Sequence, residues 1–198
     1  MKTTKSEIIR KAAGLFVHNG YHGTSLNDIS EAVGIKKAGL FFHFKNKEDL
    51  YKAVLEQYVT SIPSPNILFE ENMHCSLIEF IEVFSNKKTY FLNTMKDVIE
   101  KEEINFSQAM SFLLESGRLD SSCHEAIKNF DKEMLEVWKI IVLKSQQSEE
   151  TTNKYPAEQI ANIIYMAYKG HLMSKAFGTV DPDKSKELLE KAYVLFKK

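Results

Sequence analysis

Apolar residues recur at intervals of three and four along most of this 198-residue chain, and few helix-breaking residues interrupt them. Eight Gly and four Pro are too few for the many tight turns that short strands would need. The pattern therefore predicts an all-α fold. Beyond residue 66 it predicts helices over 76–100, 106–116, 122–147, 157–177 and 183–197, and it leaves residues 66–75 open to a short extra helix.

The N-terminal region contains several short helical patterns separated by glycines. The first begins at Thr4 and Glu7, which have the spacing of a capping box, and is expected to end at Gly20. Either Thr24 or Ser25 then caps a second, shorter helix. Short helices with clear start and stop signals predict a small helical domain at this end of the chain.

A tight turn follows the second helix. Only one residue separates Gly34, which ends that helix, from a third short helix over residues 36–44. Two short helices joined by a glycine-containing turn make a helix-turn-helix. Asn46 caps a fourth helix, which the prolines of segment 61–66 end. We therefore expect a helix-turn-helix domain over 1–47, a connecting helix over 48–61 and a helical body over 66–198.

The net charge of −1 conceals an asymmetry. Residues 1–47 contain eight Lys or Arg and three acidic residues, a net charge of +5, which leaves −6 for the remainder. This basic region favours a polyanionic partner. No apolar run has the length of a membrane span, and the two cysteines, Cys75 and Cys123, lack metal-ligand spacing. We therefore expect a cytoplasmic protein with no disulfide, metal or cofactor.

An ordered set of short motifs over residues 8–55 resembles the N-terminal domain of the TetR family of bacterial repressors. The set comprises AAGLF, the pairs Gly20-Tyr21 and Thr24-Ser25, the run from Ile29 to Gly34, and LFFHFKNKEDL. The C-terminal segment from Pro156 also resembles the helices through which this family dimerises. The resemblance implies a homodimeric repressor with an N-terminal helix-turn-helix domain and a C-terminal helical bundle that binds a small-molecule effector and dimerises.

The third helix would enter the major groove of DNA, so its outer face needs hydrogen-bond donors and small residues. The residues that supply this face are Lys36, Lys37, Ala38, Gly39 and Phe42. Leu40 and Phe44 would point back into the protein. Glycine inside a helix costs roughly 1 kcal/mol relative to alanine, which favours close approach of the backbone to a base edge. A glycine without any functional role is the alternative.

The family resemblance also implies contacts to the DNA backbone. The phosphate-binding residues it implies are Thr24, Ser25, His43 and Lys47. The sequence departs from the family at three positions. Lys36 replaces Ser or Thr, Ala38 replaces Gly or Pro, and Phe41 replaces Tyr. Phe41 lacks the hydroxyl that would bind phosphate, and the charge of Lys36 can compensate for this loss.

Aromatic and methionine side chains are frequent in the C-terminal body, and they adapt well to apolar or aromatic ligands. The candidate pocket residues are Phe84, Phe91, Met95, Met110, Met134, Trp138 and Tyr165. The candidate dimer-interface residues, on the last two helices, are Ile160, Ile164, Ala167, Tyr168, His171, Leu188, Ala192 and Leu195. Such a dimer would place its recognition helices about 34–36 Å apart on a pseudo-palindromic operator. Packing inside one subunit is the alternative for both sets.

Other classes of function leave weaker signals. Glu71 and His74 form one Glu-x-x-His unit, but a di-iron helical bundle needs two. The sequence has neither a phosphate-binding glycine loop nor a nucleophile elbow, which disfavours an enzyme. A regulator controlled by a protein partner, or one that activates transcription, remains open.

Overall fold

The computed structural model describes residues 4–87, 94–181 and 184–198, and within these ranges the fold is all-α, as predicted. The N-terminal helices are α1 (Lys5–Gly23), α2 (Leu26–Val33), α3 (Lys37–His43), α4 (Lys47–Leu55) and α5 (Pro65–Leu68). They are followed by α6 (Leu77–Lys87), α7 (Lys96–Lys101), α8 (Phe106–Leu119), α9 (Ser121–Gln147), α10 (Ala157–Ala176) and α11 (Ser185–Val194). A π-helical turn over Glu56–Thr60 extends α4, and a 3-10 turn over Glu70–Asn72 follows α5.

Local side-chain signals fix where the N-terminal helices begin. The Thr4 hydroxyl accepts a hydrogen bond from the backbone N–H of Glu7 at 3.2 Å. Ser25, rather than Thr24, caps α2, because its hydroxyl accepts from the N–H of Asp28 at 3.2 Å. The Asp28 carboxylate accepts from the Ser25 N–H at 2.7 Å, which completes the capping box. These starts were readable from sequence because each depends on residues three apart.

The end of α8 differs from the prediction. Gly117 does not stop this helix, which continues to Leu119. A Cβ atom at Gly117 would lie 3.3 Å from Cδ1 of Ile127, so the glycine permits close packing against α9. The chain turns instead at Asp120, whose carboxylate accepts from the N–H of Cys123 and caps α9. Asp120 caps the N-terminus of α9, and this cap, rather than Gly117, sets the boundary between α8 and α9.

The predicted helix over 76–100 is represented by two helices, Leu77–Lys87 and Lys96–Lys101. Residues 88–93 lie outside the described part of the chain. The last helix is shorter than the predicted range of 183–197, since it covers Ser185–Val194. The second difference concerns the ends of a helix, where apolar spacing carries little information.

The chain divides into two compact units, of which the first comprises residues 1–62 and 90–127. Its core combines side chains of the N-terminal helices, such as Ile8, Phe16 and Leu50, with Met95 and Phe112. This grouping differs from the predicted division, which placed residues 90–127 in the body. These residues contribute buried apolar side chains to the same core as α1 and α4, and shared burial holds them in one unit.

The second unit comprises residues 63–89 and 128–198. Trp138 is fully buried at its centre, with edge-to-face contacts to the rings of Phe80 and Phe84 at centroid distances of 4.9 Å each. Tyr168 packs against Phe84 at 4.8 Å in the same geometry. Among the described helices, none is long and apolar enough to cross a membrane.

Candidate nucleic-acid interface

The turn between α2 and α3 is tight and well defined. Gly34 adopts a φ of 75°, and its N–H donates to the carbonyl oxygens of Ser30 and Glu31. The N–H of Ile35 also donates to Ser30, at 3.0 Å. These bonds satisfy the carbonyl groups at the end of α2, and the positive φ suits glycine because it has no side chain. Lys36 then begins α3 in an extended conformation.

The two faces of α3 have opposite characters. Leu40 and Phe44 are almost fully buried in the first unit and hold the helix in place, as expected. The exposed residues are Lys36, Lys37, Ala38, Gly39, Phe41 and Phe42, and His43 is half-buried. A Cβ atom at Gly39 would meet only the Ile35 side chain, at an ordinary 3.7 Å. Packing inside the protein therefore does not require this glycine.

Thr24 lies in a different environment from the phosphate-facing one that the family resemblance implied. Its side chain is only 1% exposed, and its hydroxyl donates to the carbonyl oxygens of Gly20 at 2.9 Å and Leu15 at 3.2 Å. Both partners belong to the C-terminal half of α1. The hydroxyl therefore fastens the turn between α1 and α2. Its neighbour Ser25 is exposed.

Lys47 likewise has partners inside the protein. Its Nζ atom donates to the carbonyl oxygens of Tyr21 at 2.9 Å and Thr24 at 3.0 Å. The same ammonium group lies 4.3 Å from the centroid of the Tyr21 ring, a cation–π contact. The charge of Lys47 thus satisfies two carbonyl groups where the chain enters α2. This geometry differs from a direct phosphate contact.

Two further basic residues lie near α3 that the sequence reasoning did not select. Lys45 is exposed directly after the buried Phe44, and Lys5 is exposed at the start of α1. The Lys5 ammonium group lies 5.3 Å from the centroid of the Phe44 ring, which places it beside the end of α3. Lys45 could have been selected from the sequence, because it closely follows α3, the proposed recognition helix. Lys5 is distant in sequence, so only the fold could identify it.

Within the first unit, ion pairs connect α1 to Glu102, which lies in the segment that precedes α8. The Glu102 carboxylate accepts from Arg10 at 2.6 Å and from Lys11 at 2.9 Å. Burial opposes ionisation of this carboxyl, but the hydrogen bonds and charges of Lys11 and Arg10 outweigh it and lower its pKa. At the other end of α1, the Tyr21 N–H lies 3.3 Å from each carboxylate oxygen of Glu115 on α8.

The candidate pocket residues that the structure describes are divided between the two units. Met95 belongs to the core of the first unit, whereas Phe84, Met134, Trp138 and Tyr165 belong to the core of the second. Met110 is half-buried on α8 in the first unit, and Phe91 lies outside the described residues. The grouping of these residues into one pocket stays a prediction, since apolar composition does not show which core a residue joins.

Trp138 carries one of several buried polar atoms without a described hydrogen-bond partner. The indole Nε1 of Trp138 is buried, and no described residue accepts its hydrogen bond. Most buried donors are satisfied, because an unpaired one costs about 1–3 kcal/mol.

Most of the candidate dimer residues pack inside the second unit. Ile160, Ile164 and Tyr168 are almost fully buried. The remaining candidates are Ala167, His171, Leu188 and Ala192, which are half-buried or buried, and Leu195, which is 75% exposed. The buried residues pack within the core of their own subunit. They face their own unit because α10 carries apolar side chains on more than one side.

A second apolar stripe on α10 is exposed instead. It consists of Ile163, Met166, Gly170, Met173 and, just after the helix, Phe177. The intervals are three, four, three and four residues, the spacing through which paired helices interlock. A Cβ atom at Gly170 would meet nothing within 4 Å, so this part of the stripe is open. The spacing of this stripe is present in the sequence, but the sequence analysis selected the other apolar stripe of α10, which the structure buries.

Among the described residues, no group of three or more His, Cys, Asp and Glu side chains is arranged to hold a metal ion. The two cysteines are free, with Cys123 buried and Cys75 half-buried. The first unit thus presents a helix-turn-helix with an exposed, basic third helix, the arrangement with which proteins read the major groove.

Comparison with known proteins supports this interpretation. Residues 8–54 match the profile of the bacterial regulatory proteins of the tetR family. The biofilm operon icaADBC HTH-type negative transcriptional regulator IcaR of Staphylococcus epidermidis is 50% identical over 52 residues, which are 26% of this chain and 28% of that protein. IcaR of Staphylococcus aureus is 25% identical over 197 residues, covering 91% of each chain.

Two crystal structures share the fold over nearly the whole chain. NalD, the secondary repressor of the MexAB-OprM multidrug efflux pump in Pseudomonas aeruginosa, superposes with a TM-score of 0.63 at 17% identity, covering 98% of this chain and 95% of NalD. The regulatory protein TetR of Rhodobacter sphaeroides gives a TM-score of 0.61 at 12% identity, covering 98% and 100%.

The fold and its exposed third helix define a helix-turn-helix transcriptional regulator. Over residues 8–54 the chain matches the tetR family of bacterial regulatory proteins. The relatives are DNA-binding regulators and not enzymes, in agreement with the sequence analysis.

Proposed function

We propose that this protein is a homodimeric repressor that binds a pseudo-palindromic operator in the cytoplasm and leaves it when a small apolar or aromatic ligand binds. The observation that carries the DNA-binding part is the exposed face of α3, which presents Lys36, Lys37 and small residues away from the core. The repressor assignment is supported by the relatives, since IcaR is a negative regulator and NalD a repressor.

We assign DNA contacts according to exposure. The proposed groove-facing residues are Lys36, Lys37, Ala38, Gly39, Phe41 and Phe42. The proposed phosphate contacts are Ser25 and His43, together with the exposed Lys5 and Lys45. Thr24 and Lys47 act indirectly, because their polar groups hold the turn that positions α2 and α3. Phosphate contacts fix the register of the protein on DNA, and groove contacts read the sequence.

Dimerisation is proposed to use the exposed stripe of α10. Its spacing suits a packed pair of helices, and the exposed Val194 and Leu195 at the end of α11 add further apolar surface. These are the large apolar side chains that α10 and α11 leave exposed. Burying them against a second copy would remove them from water, which stabilises the dimer. The two-fold axis would then set the half-site spacing of the operator.

Effector control is proposed to act through the contacts that tie α1 to the following segment. Glu102 and Glu115 hold opposite ends of α1, so a shift of either anchor would move the helix on which α2 and α3 pack. The connecting helix α4 packs against α1 through Tyr51 and Phe16, whose rings meet edge to face at 4.9 Å. Because of this contact, a movement of α4 would also move α1 and the two helices that pack on it, so that α4 can act as a lever. A ligand must bind the DNA-free form better, by about 1–3 kcal/mol for typical coupling.

The test begins with selection of bound duplexes from a random pool by the purified full-length protein. We expect an inverted repeat whose half-site centres lie one helical turn apart, with affinity that falls steeply as salt increases. Failure to enrich any duplex at low ionic strength would overturn the proposal. Titrating operator affinity against candidate apolar ligands then tests release, and bound ligand with unchanged DNA affinity would remove the effector part.

Control by a protein partner is a second candidate, and so is activation of transcription. Trp138 favours a ligand, since its unpaired Nε1 is a group that a small molecule with an acceptor atom would satisfy. A reporter gene placed behind the selected operator distinguishes repression from activation. Expression should rise when the regulator is deleted if it represses.

A further inference from the structure

The exposed face of α3, the proposed recognition helix, carries a large apolar side chain, Phe42. Phe42 is 85% exposed, the largest exposed fraction among the large apolar side chains described in the structure. Its ring has an edge-to-face contact with the adjacent His43 ring at 5.2 Å. Ala38, one helical turn earlier, is also exposed. The two side chains share one side of α3, because residues four apart lie one above the other.

Packing within the protein does not account for Phe42. The opposite side of α3 already supplies the anchoring side chains, Leu40 and Phe44, which are 1% and 4% exposed. An exposed phenylalanine ring gains free energy only when a partner covers it. Because it lies among Lys37, Ala38 and Phe41 on the proposed groove-facing side, DNA is the partner that this surface fits.

The major groove offers few apolar groups. Its base edges present hydrogen-bond donors and acceptors, and the exception is the C5-methyl group of thymine. Lys37 can donate to guanine acceptors or to phosphate, but phenylalanine and alanine can do neither. An apolar side of a recognition helix therefore has one favourable target on the base edges.

We propose that Phe42, together with Ala38, reads the 5-methyl group of thymine in each operator half-site. This inference rests on the proposed function and adds the chemical feature that the recognition helix selects. It makes Phe42 a specificity-determining residue, whereas the lysines around it supply attraction to any duplex. A thymine opposite Phe42 is then required in both half-sites.

The experiment uses the full-length protein and the duplex selected from the random pool. Each thymine is replaced in turn by deoxyuridine, which keeps base pairing and removes only the methyl group. At one position per half-site we expect about a fourfold loss of affinity, the worth of one buried methyl group. Replacement in both half-sites together should weaken binding about 15-fold, because two independent fourfold losses multiply.

The same deoxyuridine series is then measured with Phe42→Ala. This variant should bind the thymine duplex more weakly than the wild type and should lose its response to methyl removal at that position. Phe42→Leu, which keeps an apolar side chain, should retain part of the response. Leu119→Ala removes an exposed apolar side chain elsewhere in the first unit and should leave the wild-type response unchanged.

The outcomes separate this inference from the proposed function. A selected duplex that binds equally well with deoxyuridine at every position overturns thymine reading but leaves DNA binding intact. A full methyl response in Phe42→Ala also overturns it, because another residue would then contact the methyl group. If no duplex is enriched at all, the proposed function itself fails and this inference with it.

Discussion

The ammonium group of Lys47 lies 2.9 Å from the carbonyl oxygen of Tyr21 and 4.3 Å from the centroid of its ring. This contact joins the start of α4 to the turn between α1 and α2. Its second acceptor is the carbonyl of Thr24, which directly precedes the cap of α2. A single lysine therefore fixes the entry of the chain into the helix-turn-helix.

Replacing Lys47 by Ala should lower the free energy of unfolding by about 2 kcal/mol, because two carbonyl oxygens lose a charged donor. DNA binding should weaken while the slope of log affinity against log salt stays near the wild-type value. Urea denaturation and binding assays over a range of salt check both. Lys47→Met, which keeps the apolar stem, should give a similar loss. A stable variant whose salt slope flattens would instead make Lys47 a phosphate ligand.

Replacing Lys45 by Ala should have the opposite signature. This exposed residue is proposed to bind phosphate, so stability should change by less than about 0.5 kcal/mol. Each lost phosphate contact flattens the salt slope by about 0.9, and a symmetric dimer loses two. The measurement is operator affinity at several salt concentrations. Lys139→Ala, at a half-buried lysine of the second unit, serves as the control, and an unchanged slope for Lys45→Ala would refute the assignment.

The Glu102 ion pairs predict a pH-dependent contribution to stability. Because Lys11 and Arg10 lower the pKa of Glu102 in the folded state, ionised Glu102 stabilises the fold above the ordinary glutamate pKa of 4.5. That contribution declines as the pH falls through the lower folded-state pKa.

Glu102→Gln should therefore destabilise the protein by about 1 kcal/mol at pH 7, with the difference from wild type shrinking below pH 4.5. Urea denaturation at several pH values measures this difference. Glu103→Gln, at an exposed neighbouring position, should show no such trend. A pH-independent deficit in Glu102→Gln would mean that packing, and not charge, accounts for it.

The exposed stripe of α10 predicts how the proposed dimer can be broken. Gly170→Arg should leave each subunit folded, since Gly170 is exposed and a Cβ atom there meets nothing within 4 Å, but the charge of arginine would oppose burial against a second copy. Light scattering after size exclusion should show a monomer, and operator affinity should fall. Ile67→Ser, which changes a 66% exposed apolar residue on α5, is the control and should remain dimeric.

The one tryptophan of the chain provides a direct probe of effector binding. If a ligand accepts a hydrogen bond from the Trp138 Nε1, its binding should shift the intrinsic tryptophan emission at the concentrations that release DNA. Trp138→Phe lacks the donor and should require about tenfold more ligand for release, the equivalent of one hydrogen bond. Release without any change in emission would place the effector elsewhere.

Sequence signals were most reliable where structure depends on near neighbours. Gly34 ends α2 and Asn46 caps α4, and both were identified from residues within one helical turn, whereas the structure chose Ser25 over Thr24 as the cap of α2. Gly117 was misread because its role depends on Ile127 across a helix pair. Local geometry can be inferred from local sequence, whereas a glycine required by packing resembles one required by a turn.

The sequence alone determined the all-α fold, the helix-turn-helix and the exposed side of α3, because helix periodicity and capping are short-range properties. Tertiary structure decided that Thr24 and Lys47 bind backbone carbonyls, and which apolar stripe of α10 stays exposed. These outcomes depend on contacts between segments distant in the chain. Spacing along the chain shows that a helix has an apolar side, but only the neighbouring elements determine which side they cover.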